Sequence, residues 1–192
     1  MIIPKENKII AEIVTDAFGG QPQIIRHEDD ENNSIIDILS VADKPSNGVK
    51  SYSTIGLNAY EIMEISDGTP LSVEFVGACC SEYDYFSNII ATCAFNVINS
   101  EFSCYPGEVY KDVVQMYYGK LSMKHVMFFP PFLWDDKLET IDFKYNKTAW
   151  LLVVPISDKE LKFLNENDSD SLGNIFEEQQ IDIFDLNRKS VI

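Results

Sequence analysis

Sixty consecutive residues, 51–110, contain no lysine, arginine or histidine. The whole chain has two histidines, His27 and His125, and four cysteines, Cys79, Cys80, Cys93 and Cys104. The cysteines include a vicinal pair but no C-x-x-C, so metal-type Cys/His spacing is absent and free thiols in a reducing cytoplasm are expected. No run approaches the roughly 18 apolar residues that a membrane span requires. MIIPKENKII lacks a basic segment followed by an apolar core, so it does not read as a secretory signal. Fifteen basic residues face 31 acidic ones across 192 positions, a net charge of −16. Such a chain is repelled by nucleic acid and by anionic membrane surfaces alike, and neither is an expected partner.

Catalytic signatures are also missing. The stretch SYSTIGL (51–57) crowds hydroxyls beside a glycine, but a nucleophile elbow needs G-x-S-x-G, and here the order is reversed with one glycine. Neither G-x-x-x-x-G-K nor G-x-G-x-x-G occurs, which removes the usual entry to ATP and dinucleotide chemistry. A thiol enzyme would need Cys79 or Cys80 activated by His125; inert buried cysteines at a strand end are the plainer reading. Paired acids at Asp135-Asp136 and Glu177-Glu178 read as a loop and a solvated helix face. No enzymatic activity, cofactor or metal is expected, and nothing in the sequence sets an oligomeric state.

What is present supports one domain with a sizeable core, since 45% of residues are hydrophobic. The periodicity predicts a helix over 4–20, opened by Pro4 in its first position, closed by Gly19-Gly20 and carrying Ile9, Ile10, Ile13 and Val14 on one face. Strand patterns follow at 23–28, 34–41, 49–57, 59–65 and 71–78, with the polar DDENN as a hairpin loop. A switch to helical spacing predicts a long helix over 83–99. KHVMFF (124–129) reads as a strand halted by Pro130-Pro131, and TAWLLVV (148–154) as a central strand buried on both faces. Ser157 with Glu160 three residues on is a capping box, starting a helix through Leu164. A second short helix is predicted over 170–180, and IDIFDL (181–186) as a last strand or extended segment. The expected class is α+β: a mostly antiparallel or mixed sheet packed by an N-terminal helix, a long central helix and short C-terminal helices, one domain over 1–192.

The base-free window holds eight acids: Glu61, Glu64, Asp67, Glu74, Glu82, Asp84, Glu101 and Glu108. Unless the fold lays distant lysines over them, they create an uncompensated negative field. The alternative is a solvated face that keeps the protein in solution.

The stretches YSTIGL (52–57), VEFVG (73–77), FFPPF (128–132), WLLVVPISDKEL (150–161), LGNIF (172–176) and IDIFDLNRKSVI (181–192) together resemble the suppressor of fused-like domain family. The similarity is strongest to its bacterial single-domain members, immunity proteins or antitoxins paired with LXG-type secreted toxins. The resemblance implies a non-catalytic protein that binds and neutralises a toxin effector domain, often a nuclease, through a protein interface. A nuclease presents cations around its site, so the acids Glu61, Glu64, Asp67, Glu82, Asp84, Glu101 and Glu108 are the candidate toxin-binding residues. Family-motif positions Gly56, Gly77, Pro130, Pro155, Glu160 and Arg188 imply structural roles: turns at the glycines, strand exits at the prolines, a helix start at Glu160, and a carboxylate partner for Arg188. The alternative functions are a regulatory scaffold that sequesters another protein, as animal relatives do, and, behind it, a hydrolase or thiol enzyme with an unrecognised site.

Overall fold

The computed structural model describes residues 3–29, 31, 33–134 and 137–192. The loop expected at Asp135-Asp136 and part of DDENN lie outside these residues. The elements run α1 (Lys5–Phe18), β1 (Gln23–Asp29), β2 (Ser34–Ala42), β3 (Val49–Ile55), a 3-10 turn (Leu57–Ala59), β4 (Glu61–Glu64) and β5 (Pro70–Cys80). Then come α2 (Phe86–Ser100), β6 (Val109–Tyr110), α3 (Val113–Tyr117), β7 (Met123–Phe129), β8 (Ile141–Asp142), β9 (Lys147–Ser157), α4 (Asp158–Leu164) and α5 (Ser169–Glu178). Pro4 caps α1 from outside instead of occupying its first turn, and the left-handed Gly19 ends it with φ 67°. None of the described helices is long and apolar enough to cross a membrane.

All strands join one mixed sheet in the order β1-β2-β3-β5-β9-β7-β6, with β4 added to β5 and β8 to β9. The pairings are antiparallel except β5 with β9, which is parallel. That single parallel pair requires the long crossover carrying α2, α3 and β7. Side chains alternate across β9: Leu151 and Val153 join the core under α2 and α3, while Trp150, Leu152 and Val154 join the core under α1 and α5. Both faces of the central strand are thus buried, as its continuous apolar run predicts.

The hydroxyls of SYSTIGL serve shape. Ser51 Oγ donates to Lys44 O at 2.8 Å and Ser53 Oγ to Thr54 O at 2.9 Å. Two motif residues take roles other than those expected. Gly77 is not in a turn but inside β5, where an added Cβ would stand 3.1 Å from Phe86 Cε1 and 3.3 Å from Ile90 Cδ1 of α2. Pro155 is not a strand exit; β9 continues to Ser157 and pairs Pro155 with Val126 of β7. This stretch of β9 is paired on one side only, where a residue without N–H is tolerated. Pro130 does follow the end of β7.

IDIFDL forms turns rather than a strand. Asp182 Oδ1 accepts from Phe184 N at 3.0 Å and Asp185 Oδ1 from Asn187 N at 2.7 Å. These aspartates offer the backbone local partners in place of a ladder. Isolated backbone bonds, not a ladder, join the segment to the sheet, Cys80 N to Phe184 O and Met123 N to Leu186 O, both at 3.0 Å.

Candidate functional site

β5 carries the acidic window through the sheet and divides it. Glu61, Glu64 and Asp67 lie on β4 and its turn beside the start of β5, whereas Glu82 and Asp84 follow its end. Ten steps of strand separate the two ends, about 33 Å at strand rise. Glu101 sits just past the C-terminus of α2 in a left-handed conformation, and Glu108 stands before β6. A 15-residue helix puts Glu101 about 22 Å from Asp84. The seven candidate acids form three separate groups, not one patch. All are exposed except Glu108, which is half-buried and accepts from Ser103 Oγ at 3.5 Å.

Charge compensation differs among these groups. At the β4 end, Lys147 acts on Asp67, whose carboxyl is held below its ordinary pKa first by its hydrogen bonds with Thr69 and then by that lysine. Lys147 also stands 3.7 Å from Asp142. At the other end of β5, where Lys50 of β3 stands opposite Cys79, the fold adds further acids. Cys79 Sγ donates to Phe184 O at 3.3 Å and Tyr83 OH to Asp185 Oδ1 at 2.6 Å, so the C-terminal segment lies against Glu82. Burial raises the Cys80 thiol pKa, and Asp182, Asp185 and Glu82 raise it further. Asp182 and Asp185 were outside the base-free window and carry no sign in the sequence that they join it. The tertiary path of the tail brings them there.

Glu74, the eighth acid, contributes nothing to the surface. Its carboxylate is fully buried and accepts from Gly56 N at 2.9 Å, Asn58 N at 3.1 Å and Thr54 Oγ1. Thr54 Oγ1 accepts in turn from Phe75 N at 2.8 Å. Burial outweighs these donors and raises the Glu74 pKa from 4.5 to about 7. One side chain therefore holds the turn that ends SYSTIGL, at the point where Gly56 adopts φ 110°.

Three other motif positions converge at the C-terminus. The Arg188 guanidinium pairs with Glu160 at 2.6 and 3.1 Å and also donates to Pro155 O at 3.1 Å. Glu160 Oε2 accepts from Ser157 N at 2.8 Å, completing the predicted capping box, and Oε1 from Val191 N at 3.2 Å. Glu160 is thus the unnamed partner of Arg188.

The thiol constellation is not assembled for catalysis. Burial first, then neighbouring charge, pushes the Cys79 thiol pKa upward, opposite to what a thiolate nucleophile needs. His125 is engaged elsewhere, its Nδ1 accepting from Asp112 N at 2.9 Å and its Nε2 lying 3.1 Å from Asp158 Oδ1. Among the described residues no group of three or more metal-ligating side chains is present.

The geometry defines an α+β domain with one mixed sheet between two helical layers and a C-terminal segment locked by a buried ion pair. The family model for suppressor of fused protein (SUFU) matches residues 32–189, and the chain belongs to that family. It is 47% identical over 192 residues to Immunity protein YqcF of Bacillus subtilis (strain 168), covering 100% of both chains. A SUFU homologue from Neisseria gonorrhoeae shares the fold at TM-score 0.72 and 16% identity, covering 97% of each chain. A chain of the Sufu-Fu complex does so at TM-score 0.66 and 13% identity, covering 98% of this chain and 93% of that one.

Proposed function

We propose that the chain is an immunity protein that binds the effector domain of a cognate toxin and neutralises it by occupying or distorting its site. The observation that carries this reading is the 47% identity to Immunity protein YqcF along the full length of both chains. The toxin is of the LXG type, its effector is a basic nuclease, and the encounter takes place in the cytoplasm. The inhibition is stoichiometric and uses no catalytic group, in keeping with cysteines whose pKa values are raised by burial.

The net charge of −16 steers the chain toward a cationic surface and speeds association. Within the acidic window, Glu82 and Asp84 are the strongest contributors, because Asp182 and Asp185 reinforce them. Co-expression tests the function. Cells making the toxin encoded beside this chain's gene should survive when the chain is present, and continued killing refutes the immunity role.

A further inference from the structure

The tail that brings Asp182 and Asp185 beside Glu82 also walls an apolar pocket of about 530 Å³. Phe129 and Phe132 form one side, Phe176 of α5 another, and Ile181, Ile183 and Phe184 a third. Three of the motif segments, FFPPF, LGNIF and IDIFDL, thus meet at one cavity. Phe132 stands at its lip with 58% of its surface exposed, edge-on to Phe129 at 6.5 Å. A solvent-facing aromatic beside an apolar recess is costly to leave in water and marks a contact surface.

The charged part of the pocket lining is acidic. Its lining includes Glu177 and no lysine or arginine, and the lining residues Ile183 and Phe184 lie between Asp182 and Asp185. The nearby cation Arg188 packs over Phe176 at 5.1 Å but is committed to Glu160. A second copy of the chain would bring another net −16 to this rim, which charge repulsion opposes.

We propose that this pocket seats a hydrophobic side chain, aromatic or long aliphatic, projecting from a cationic protein surface, whose basic residues meet the acidic rim. This rests on the immunity reading and makes the pocket the anchor point for the toxin effector domain. A desolvated apolar anchor ringed by charge is the arrangement in which few residues carry most of an interface's energy.

Gly173 supplies the test. It lines the pocket from α5, and within 4 Å an added Cβ would meet only Phe129 Cε1, at 3.5 Å. Gly173→Leu fills the recess while replacing a weak helix former by a strong one, so the fold is not weakened at that position. The probe is the effector domain encoded beside this chain's gene, measured by calorimetry against the unaltered chain, Gly173→Leu and Phe132→Ala, with each melting temperature recorded. Both variants should melt no lower than about 3 °C below the unaltered chain, and both should bind at least about tenfold more weakly. If the unaltered chain binds and both variants bind equally well, the pocket assignment is overturned while the immunity reading stands. If the unaltered chain does not bind, both fall together. Native mass spectrometry supplies the competing occupants. A retained apolar small molecule or a dimer, lost in Gly173→Leu with effector binding unchanged, would also overturn the proposal.

Discussion

The guanidinium of Arg188 and the carboxylate of Glu160 meet in a bidentate pair with 7% and none of their surface exposed. The pair joins the last residues of the chain to the start of α4 and to the Pro155 carbonyl of β9. Removing one member leaves a buried charge without its counterion, which costs more than the pair itself contributes. Arg188→Ala should lower unfolding free energy by about 3–5 kcal/mol in denaturant titration. Arg188→Lys keeps the charge but loses the planar fork and should restore only part of that loss. Equal stability of Arg188→Ala and the unaltered chain would show that the pair does not hold the tail.

Gly56 and Gly77 are both needed, for different reasons. Gly56 has φ 110°, where an L side chain is strained, and its Cβ would lie 3.1 Å from Asn7 Nδ2. Gly77 has ordinary strand geometry but no room beside Phe86. Gly56→Ala should cost about 1–2 kcal/mol and Gly77→Ala about 1–3 kcal/mol. The second mutation separates the causes. Phe86→Leu should recover part of the Gly77→Ala loss, whereas Asn7→Ala should not rescue Gly56→Ala, because the backbone strain remains. Thermal melts of the four variants check this.

The layered architecture was legible because its signals are local or periodic. Alternation marked β5, continuous hydrophobicity marked β9 as doubly buried, and Ser157 with Glu160 announced α4. Short elements such as β6 and β8, of two residues each, carry no period to detect. IDIFDL has strand-like alternation, yet its aspartates bond their own backbone and tertiary contacts fix its path. The candidate site was less legible for the same reason. A charge count along 51–110 cannot reveal that Glu74 points into the core, that Lys147 attends Asp67, or that Asp182 and Asp185 return to Glu82. The apolar pocket is assembled from three distant segments, and no single window contains it.

Glu74 gives stability a pH dependence of defined sign. Its carboxyl has an ordinary pKa of 4.5 and about 7 when folded, so the folded chain keeps a proton that the unfolded chain has released. This contribution is fully present below about pH 4.5 and is lost as pH rises through about 7. Its full extent is about 3 kcal/mol. Half-buried His27, whose pKa is lowered by its partial burial, acts in the opposite sense at acidic pH, so the comparison must be between variants. In Glu74→Gln the amide oxygen can still accept from Gly56 and Asn58 while its nitrogen faces Thr54. The difference in stability between this variant and the unaltered chain should move in favour of the variant from pH 5 to pH 8. A constant difference would mean that Glu74 does not titrate in this range.

The division of the acidic window makes its two ends distinguishable in solution. Glu82 and Asp84 stand with Asp182 and Asp185, while Glu61 and Glu64 share their end of the sheet with Lys147. If long-range attraction to a cationic effector arises at the tail-side cluster, Glu82→Lys with Asp84→Lys should slow association by about tenfold at low salt. The same pair should flatten the fall of association rate with added salt, because fewer opposite charges remain to be screened. Glu61→Lys with Glu64→Lys should change the rate less than about threefold on the same argument. Stopped-flow mixing with the effector domain at several ionic strengths reads both effects. Equal slowing by the two pairs would place the steering field in the net charge of −16 rather than in the cluster beside the pocket. Unchanged rates and salt dependence in both would remove acidic steering altogether.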